Sequence, residues 1–148
     1  MLDKHKTYIR RIENDIRNNY GFDFTIKYLK SITPCPDCTL DKLYNRSKNP
    51  SCPTCGGEYW IKTFETRKAK GLLYWLTEDV RKQFEIGSFI SGDAIIDFDK
   101  DETTYLENVQ KNDLFLESPD NTKFTIKNIT ENSLGTKVRV VCIKRKED

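Results

Sequence analysis

Histidine is nearly missing from this chain: His5 is the only one among 148 residues. One imidazole cannot assemble the multi-histidine sites by which hydrolytic zinc enzymes hold their metal and activate water. No apolar run approaches the roughly 20 residues that span a bilayer, and the first 20 residues contain no apolar block of the kind a secretion signal carries. An excess of either charge is also absent: 25 basic residues against 23 acidic ones leave a net charge of +2. This argues against a surface dedicated to coating nucleic acid, while leaving room for a local basic patch. Phosphate-binding glycine loops, dinucleotide fingerprints, nucleophile motifs and internal repeats do not occur, so the sequence predicts no enzymatic activity.

What remains is a polar chain, 36% hydrophobic and 32% charged, whose 11% aromatic content supplies most of the bulk for a core. Its length suits one domain with a small annex.

The four cysteines in "CPDCTLDKLYNRSKNPSCPTCGG" are the strongest local signal. Two Cys-Pro-x-Cys turns stand thirteen residues apart. A C-x2-C turn lets two sulfurs converge on one point, and two such turns give the four thiolates of a closed tetrahedral zinc site. Pro36 and Pro53 stiffen the turns, and Gly56 lets the backbone fold around the sulfurs. The expected ligands are therefore Cys35, Cys38, Cys52 and Cys55, with Zn2+ in a structural role. Four cysteines leave no open coordination position for catalysis, and a redox pair would sit beside a βαβ unit, which the sequence lacks. A chain kept in a reducing cytoplasm uses such thiols for metal rather than disulfides. The fifth cysteine, Cys142, alternates with Val138 and Val140 and reads as a buried core thiol.

The flanking segments supply a scaffold. Residues 3–18 read as a helix, with Ile9, Ile12, Ile16 and Tyr20 at three- and four-residue steps and Tyr8 beside them. Lys4, Lys6, Arg10, Asp15 and Arg17 fall on the opposite, solvated face, and Gly21 suits a left-handed cap. The period then changes to two. Phe22, Phe24, Ile26 and Tyr28 share one face of a strand leading into the first cysteine turn, and "EYWIKTFET" forms a strand leaving the second. The cysteine segment is thus the tip of a β-ribbon.

From about Gly71 the chain reads as all-β, in short runs such as "GSFISGDAIIDFD", "KFTIKNIT" and "TKVRVVCIKR". "SPDNTK" marks a hairpin, with Pro119 presetting one turn dihedral and Asn121 tolerating a left-handed one. The fold expected is mainly β: a small β-barrel or sandwich with an N-terminal helix and a zinc-ribbon β-hairpin. "TRKAK" is the natural boundary between residues 1–66, holding helix, strand and ribbon, and a barrel over 67–148.

Two other clusters invite functional readings. Asp97, Asp99 and Asp101 alternate as in a calcium loop, but Glu102 and Asn108 stand where such a loop needs glycine and glutamate, so "DFDKDE" reads as an exposed acidic turn. Tyr59, Trp60, Tyr74 and Trp75 with Lys62, Arg67, Lys68 and Lys70 suit stacking on bases where they are exposed together, and otherwise core packing.

The stretch "SGDAIIDFDKDETTYLENVQKNDLFLESPDNTKFTIKNI", within residues 71–145, resembles the pattern of phage neck proteins, the head-closure or stopper components between portal and tail. "GFDFTIKYLKSITPCPDC" is similar to a zinc-ribbon insertion found in some phage head–tail connectors. The resemblance implies a structural virion protein in the neck, made in the host cytoplasm and assembled as a ring. Its partners would be copies of itself together with portal, adaptor or tail subunits, with DNA passing through the ring and no membrane involved. The alternative from the residues themselves is a zinc-ribbon nucleic-acid binder.

Overall fold

The computed structural model describes residues 2–76 and 93–145. Helix α1 (Leu2–Tyr20) is followed by strands β1 (Phe22–Pro34), β2 (Leu40–Asp41), β3 (Arg46–Ser47), β4 (Trp60–Trp75) and β5 (Asp93–Asp99). A 3-10 turn (Lys100–Glu102) leads into helix α2 (Thr103–Lys111), and β6 (Leu116–Glu117), β7 (Lys123–Glu131) and β8 (Lys137–Lys144) complete the described chain. The fold is mainly β, as the alternating runs predict.

Six strands close into a barrel in the order β1-β4-β5-β8-β7-β6, with β6 returning antiparallel to β1 through Thr25↔Glu117 and Ile26↔Leu116. Closure leaves the barrel without open edges. The chain divides into two compact units, one of residues 1–28 with 66–148 and one of residues 29–65. The division after residue 65 lies one residue from the expected one, and the grouping differs only in that residues 1–28 fall with the barrel rather than with the ribbon. The first part of β1 is itself a barrel strand, so the N-terminal helix and that strand belong with the barrel.

Alternation fills the interior. Phe24 and Ile26 of β1, Ala94, Ile96 and Phe98 of β5, Phe124 and Ile126 of β7, and Val138, Val140 and Cys142 of β8 form one buried cluster. The ring of Phe24 meets Phe98 edge-on at 5.6 Å, within the range favoured by aromatic quadrupoles. Cys142 lies in this core as its spacing predicts, its thiol donating to the Ala94 carbonyl at 3.6 Å. The predicted hairpin is present, with Leu116↔Phe124 and Glu117↔Lys123 paired and Asn121 left-handed at φ 67°.

Four local expectations are overturned. The region after Gly71 contains a helix: Leu106 and Val109 of α2, one turn apart, are buried in the barrel core. Gly21 does not have a left-handed backbone; it is required by proximity, since a Cβ there would lie 2.4 Å from the Arg17 carbonyl oxygen and 2.8 Å from that of Gly71. The "DFDKDE" segment is no simple exposed turn. Asp97 is only 3% exposed and takes a two-pronged bond from Arg139, with Nε at 2.8 Å and Nη2 at 3.0 Å. Asp99 is gripped by Arg10.

The fourth difference is the orientation of α1. Two of its supposedly solvated charges face the barrel, while Lys4 and Asp15 stay exposed: Arg10 reaches Asp99 and Asp101, and Arg17, 3% exposed, bonds Asn14 and reaches Asp99 Oδ1 at 3.5 Å. Of the residues expected to pack, Ile9 is half-buried, but Ile12, Ile16 and Tyr20 are exposed together with Tyr8. Periodicity identified the two faces, but the carboxylates at the end of β5 decide which one turns inward. The run "GSFISG", read as part of a strand, lies outside the described residues.

Candidate metal centre

The second unit is built around the four cysteines. β1 ends at Pro34, and Cys35 follows at once, its N–H donating to the Tyr59 carbonyl at 2.8 Å. That bond joins the chain entering the first turn to the chain leaving the second. Between the turns, β2 and β3 pair antiparallel through Leu40↔Ser47 and Asp41↔Arg46. The Lys48 N–H donates to the Thr39 carbonyl at 2.9 Å, and the Ser47 N–H to the Gly57 carbonyl at 3.0 Å. The two Cys-Pro-x-Cys turns are also bonded directly: Thr54 donates its hydroxyl proton to the Asp37 carboxylate, each residue occupying the same place in its turn.

These bonds bring all four Sγ atoms within 4.8 Å of one another. Cys35 and Cys52 are 3.9 Å apart, and Cys38 and Cys55 are 3.5 Å apart. A tetrahedron with metal–sulfur bonds of about 2.3 Å has edges of about 3.8 Å, so the cluster has the size of a closed four-thiolate site. Cys35 and Cys52 are buried while Cys38 and Cys55 are partly exposed.

Backbone geometry after the second turn is specialised. Gly56 and Gly57 have φ of 65° and 93°, and Tyr59 is left-handed at 72°. At Gly57 a side chain is excluded twice over, because a Cβ would also lie 2.6 Å from the Pro50 carbonyl oxygen. The fold around Gly57 and Tyr59 turns their N–H groups toward Cys55. Burial pushes the Cys55 thiol up, but those two N–H groups and the neighbouring thiols outweigh it and bring it down to about 6. Cys38 goes the other way, to about 12: the Ser47 hydroxyl favours its thiolate, but burial and the three other sulfurs prevail. Burial likewise raises Cys35. Four sulfurs around one point cannot all carry charge unaided, and a cation at their centre removes that restriction. The arrangement can hold a metal ion that accepts soft thiolate donors.

All four sequence-predicted ligands are therefore brought together. Sequence reasoning missed the supporting residues: Ser47, Asp37 and Thr54, and the N–H groups of Gly57 and Tyr59. The glycine pair after Cys55 was the one available hint of the last. The aromatic cluster is not assembled as one surface within either unit. Tyr59 and Trp60 belong to the cysteine unit, where their rings meet edge-on at 5.0 Å and Trp60 donates Nε1–H to Asn45 Oδ1 at 3.1 Å. Tyr74 packs beside Leu76, Ile95 and Val141 on the barrel. Two of the associated cations are engaged, Arg67 with Glu102 and with the Tyr105 ring, and Lys70 with Asp23.

Between the two cysteine turns, Leu43 is 81% exposed and Tyr44 63% exposed. The loop holding them is ordered by its own bonds. The Leu43 N–H donates to Asp41 Oδ1 at 3.0 Å, Asn45 is left-handed at φ 52°, and the Arg46 guanidinium lies 5.0 Å from the Tyr44 ring centroid.

Among the described residues no helix is long and apolar enough to cross a membrane. No family model matches the chain, and no curated protein or solved structure shows significant similarity to it.

Proposed function

We propose that the chain is a non-enzymatic structural subunit of the phage neck, a head-closure or connector component that assembles as a ring between portal and tail, its ribbon held by one structural zinc. Zn2+ is the metal that best suits four cysteine thiolates in a closed tetrahedral arrangement. The ion would be held by Cys35, Cys38, Cys52 and Cys55, and would supply rigidity rather than reactivity. A unit of about 37 residues (29–65) is below the size at which a hydrophobic core suffices, so the metal stands in for one.

The observation that carries the reading is the exposure of Leu43 and Tyr44 on an internally bonded loop between the two cysteine turns. Large apolar side chains on an ordered loop, rimmed by Asp41, Lys42, Arg46 and Lys48, have the make-up of a protein contact: an apolar centre with a charged rim. A surface for nucleic acid would favour cations over aliphatic residues. The resemblance of residues 71–145 to head-closure proteins supplies the class of assembly, with further copies of the chain and portal, adaptor or tail subunits as partners.

The test is the double substitution Leu43→Asp/Tyr44→Asp. Zinc content and folding should be unchanged, while incorporation into a ring, viewed by electron microscopy of the assembled particle, should be lost. Normal assembly by this variant contradicts the reading. So does salt-dependent binding of oligonucleotides that disappears with the same substitution, which would favour the nucleic-acid alternative.

A further inference from the structure

Four exposed side chains run along the outer side of α1 at four-residue intervals: Tyr8 (65% exposed), Ile12 (42%), Ile16 (42%) and Tyr20 (75%). The opposite side of the helix is clamped to the barrel by Arg10 and Arg17, so rotation about the helix axis cannot bury the stripe. Aromatic and β-branched residues at this spacing on a fixed helix form a ridge suited to another helix.

The order Tyr-Ile-Ile-Tyr reads the same in both directions, which makes the ridge complementary to itself when reversed. Beside it stand two opposite charges, Arg11 and Asp15, both exposed. Among the described residues neither has an ion-pair partner within the chain.

We infer that two copies of the chain pair through antiparallel α1 helices about a two-fold axis near Asn14. The i±4 ridges of both helices then interdigitate, a packing class with axes crossing at about 50°. Tyr8 of each copy lies beside Tyr20 of the other, and Ile12 beside Ile16. On the same flank, Arg11 of one copy comes beside Asp15 of the second, and symmetry repeats that pair. In a two-fold parallel pair the flanks carrying Arg11 and Asp15 fall on opposite sides of the seam, so neither charge meets its opposite across it. Charge therefore selects the antiparallel one. The contact is isologous and closed. It covers the apolar stripe of the free protein, and its test reads dimer formation through α1 rather than ring assembly through Leu43 and Tyr44, so the two fail separately.

The experiment is sedimentation equilibrium of the full chain from about 1 to 200 μM, chosen to bracket the micromolar affinity of a modest interface. The chain should dimerise, and Ile12→Glu/Ile16→Glu should be monomeric throughout with unchanged circular dichroism. Arg11→Glu and Asp15→Arg should each weaken the dimer about tenfold, the loss of two exposed ion pairs, and their combination should restore it. Spin labels at position 5 should be about 25–30 Å apart in the dimer, from 1.5 Å of rise per residue on either side of Asn14. A monomeric wild type, a dimer that survives the isoleucine substitutions, failure of the charge exchange to restore pairing, or labels about 10 Å apart as in a parallel pair each overturns the inference.

Discussion

Arg10 holds Asp99 in a fork, Nε to Oδ1 at 3.0 Å and Nη2 to Oδ2 at 2.8 Å, across 89 residues of sequence. The same carboxylate accepts the Asp101 N–H at 3.2 Å and caps the 3-10 turn after β5. One aspartate therefore fixes both the end of a barrel strand and the helix packed on it. Burial would raise the Asp99 carboxyl, but the bonds from Arg10 and Asp101 and the charges of Arg10 and Arg17 hold it below its usual value.

That lowered value makes Asp99 a source of acid sensitivity. A carboxylate that is more acidic folded than unfolded stabilises the fold above its unfolded pKa of about 3.9, and the contribution fades as pH falls below it. Asp99→Asn should destabilise the protein at pH 7 by about 1–2 kcal/mol, a forked charge-assisted bond discounted for partial exposure. The difference from wild type should shrink below about pH 4. Urea melts at pH 7 and pH 3 check both statements; equal differences at the two pH values would contradict them.

Asp97 presents a harder case, since it is almost fully enclosed. It is paired with Arg139 in a fork and with Lys137 at 3.7 Å. Asp97→Ala strands two cations against the barrel wall and should cost about 2–4 kcal/mol, somewhat less than a wholly buried pair because both cations reach solvent. Asp97→Ala/Arg139→Met should recover part of that loss. Thermal melts of the three proteins decide it, and a neutral Asp97→Ala would refute the assignment.

Two glycines separate proximity from backbone conformation. At Gly21 a methyl group meets backbone oxygens at 2.4 and 2.8 Å, neither of which can move without shifting α1 or β4. Gly135 has φ +65° and nothing within 4 Å of a Cβ. Gly135→Ala should cost about 1–2 kcal/mol, the left-handed penalty alone, and Gly21→Ala should cost more. Denaturation midpoints of the two variants give the order, and the reverse order would count against the account.

Much of this fold could be read from the sequence where the signal is local. The C-x2-C spacing identified four ligands because two sulfurs on one tight turn have few other uses. Alternation in "FDFTIKYL" and "KVRVVCIK" identified strands, and Phe24, Ile26, Val138, Val140 and Cys142 enter the core from them, although Phe22 at the start of the first is exposed. Long-range partners escaped. Nothing near Asp99 announces Arg10, so the acidic segment reads as solvated and α1 as apolar-side-in. The short segment "TYLENV" lies within a region that reads as all-β as a whole, although Leu106 and Val109 bury one helical face. In the cysteine unit the ligands were legible, but Ser47 and the Asp37–Thr54 bond belong to the geometry between the turns.

The claim on which the rest depends is that a metal ion ties the two cysteine turns together. The decisive measurement is elemental analysis of protein purified without added metal, paired with Cys38→Ser. Binding of structural zinc contributes on the order of 10–16 kcal/mol to modules of this kind. The account predicts one zinc per chain in the wild type, and none in Cys38→Ser, with the amides of residues 29–65 losing hydrogen-exchange protection while those of β5, β7 and β8 keep theirs. A wild-type preparation that is free of metal yet protected throughout residues 29–65 would contradict it.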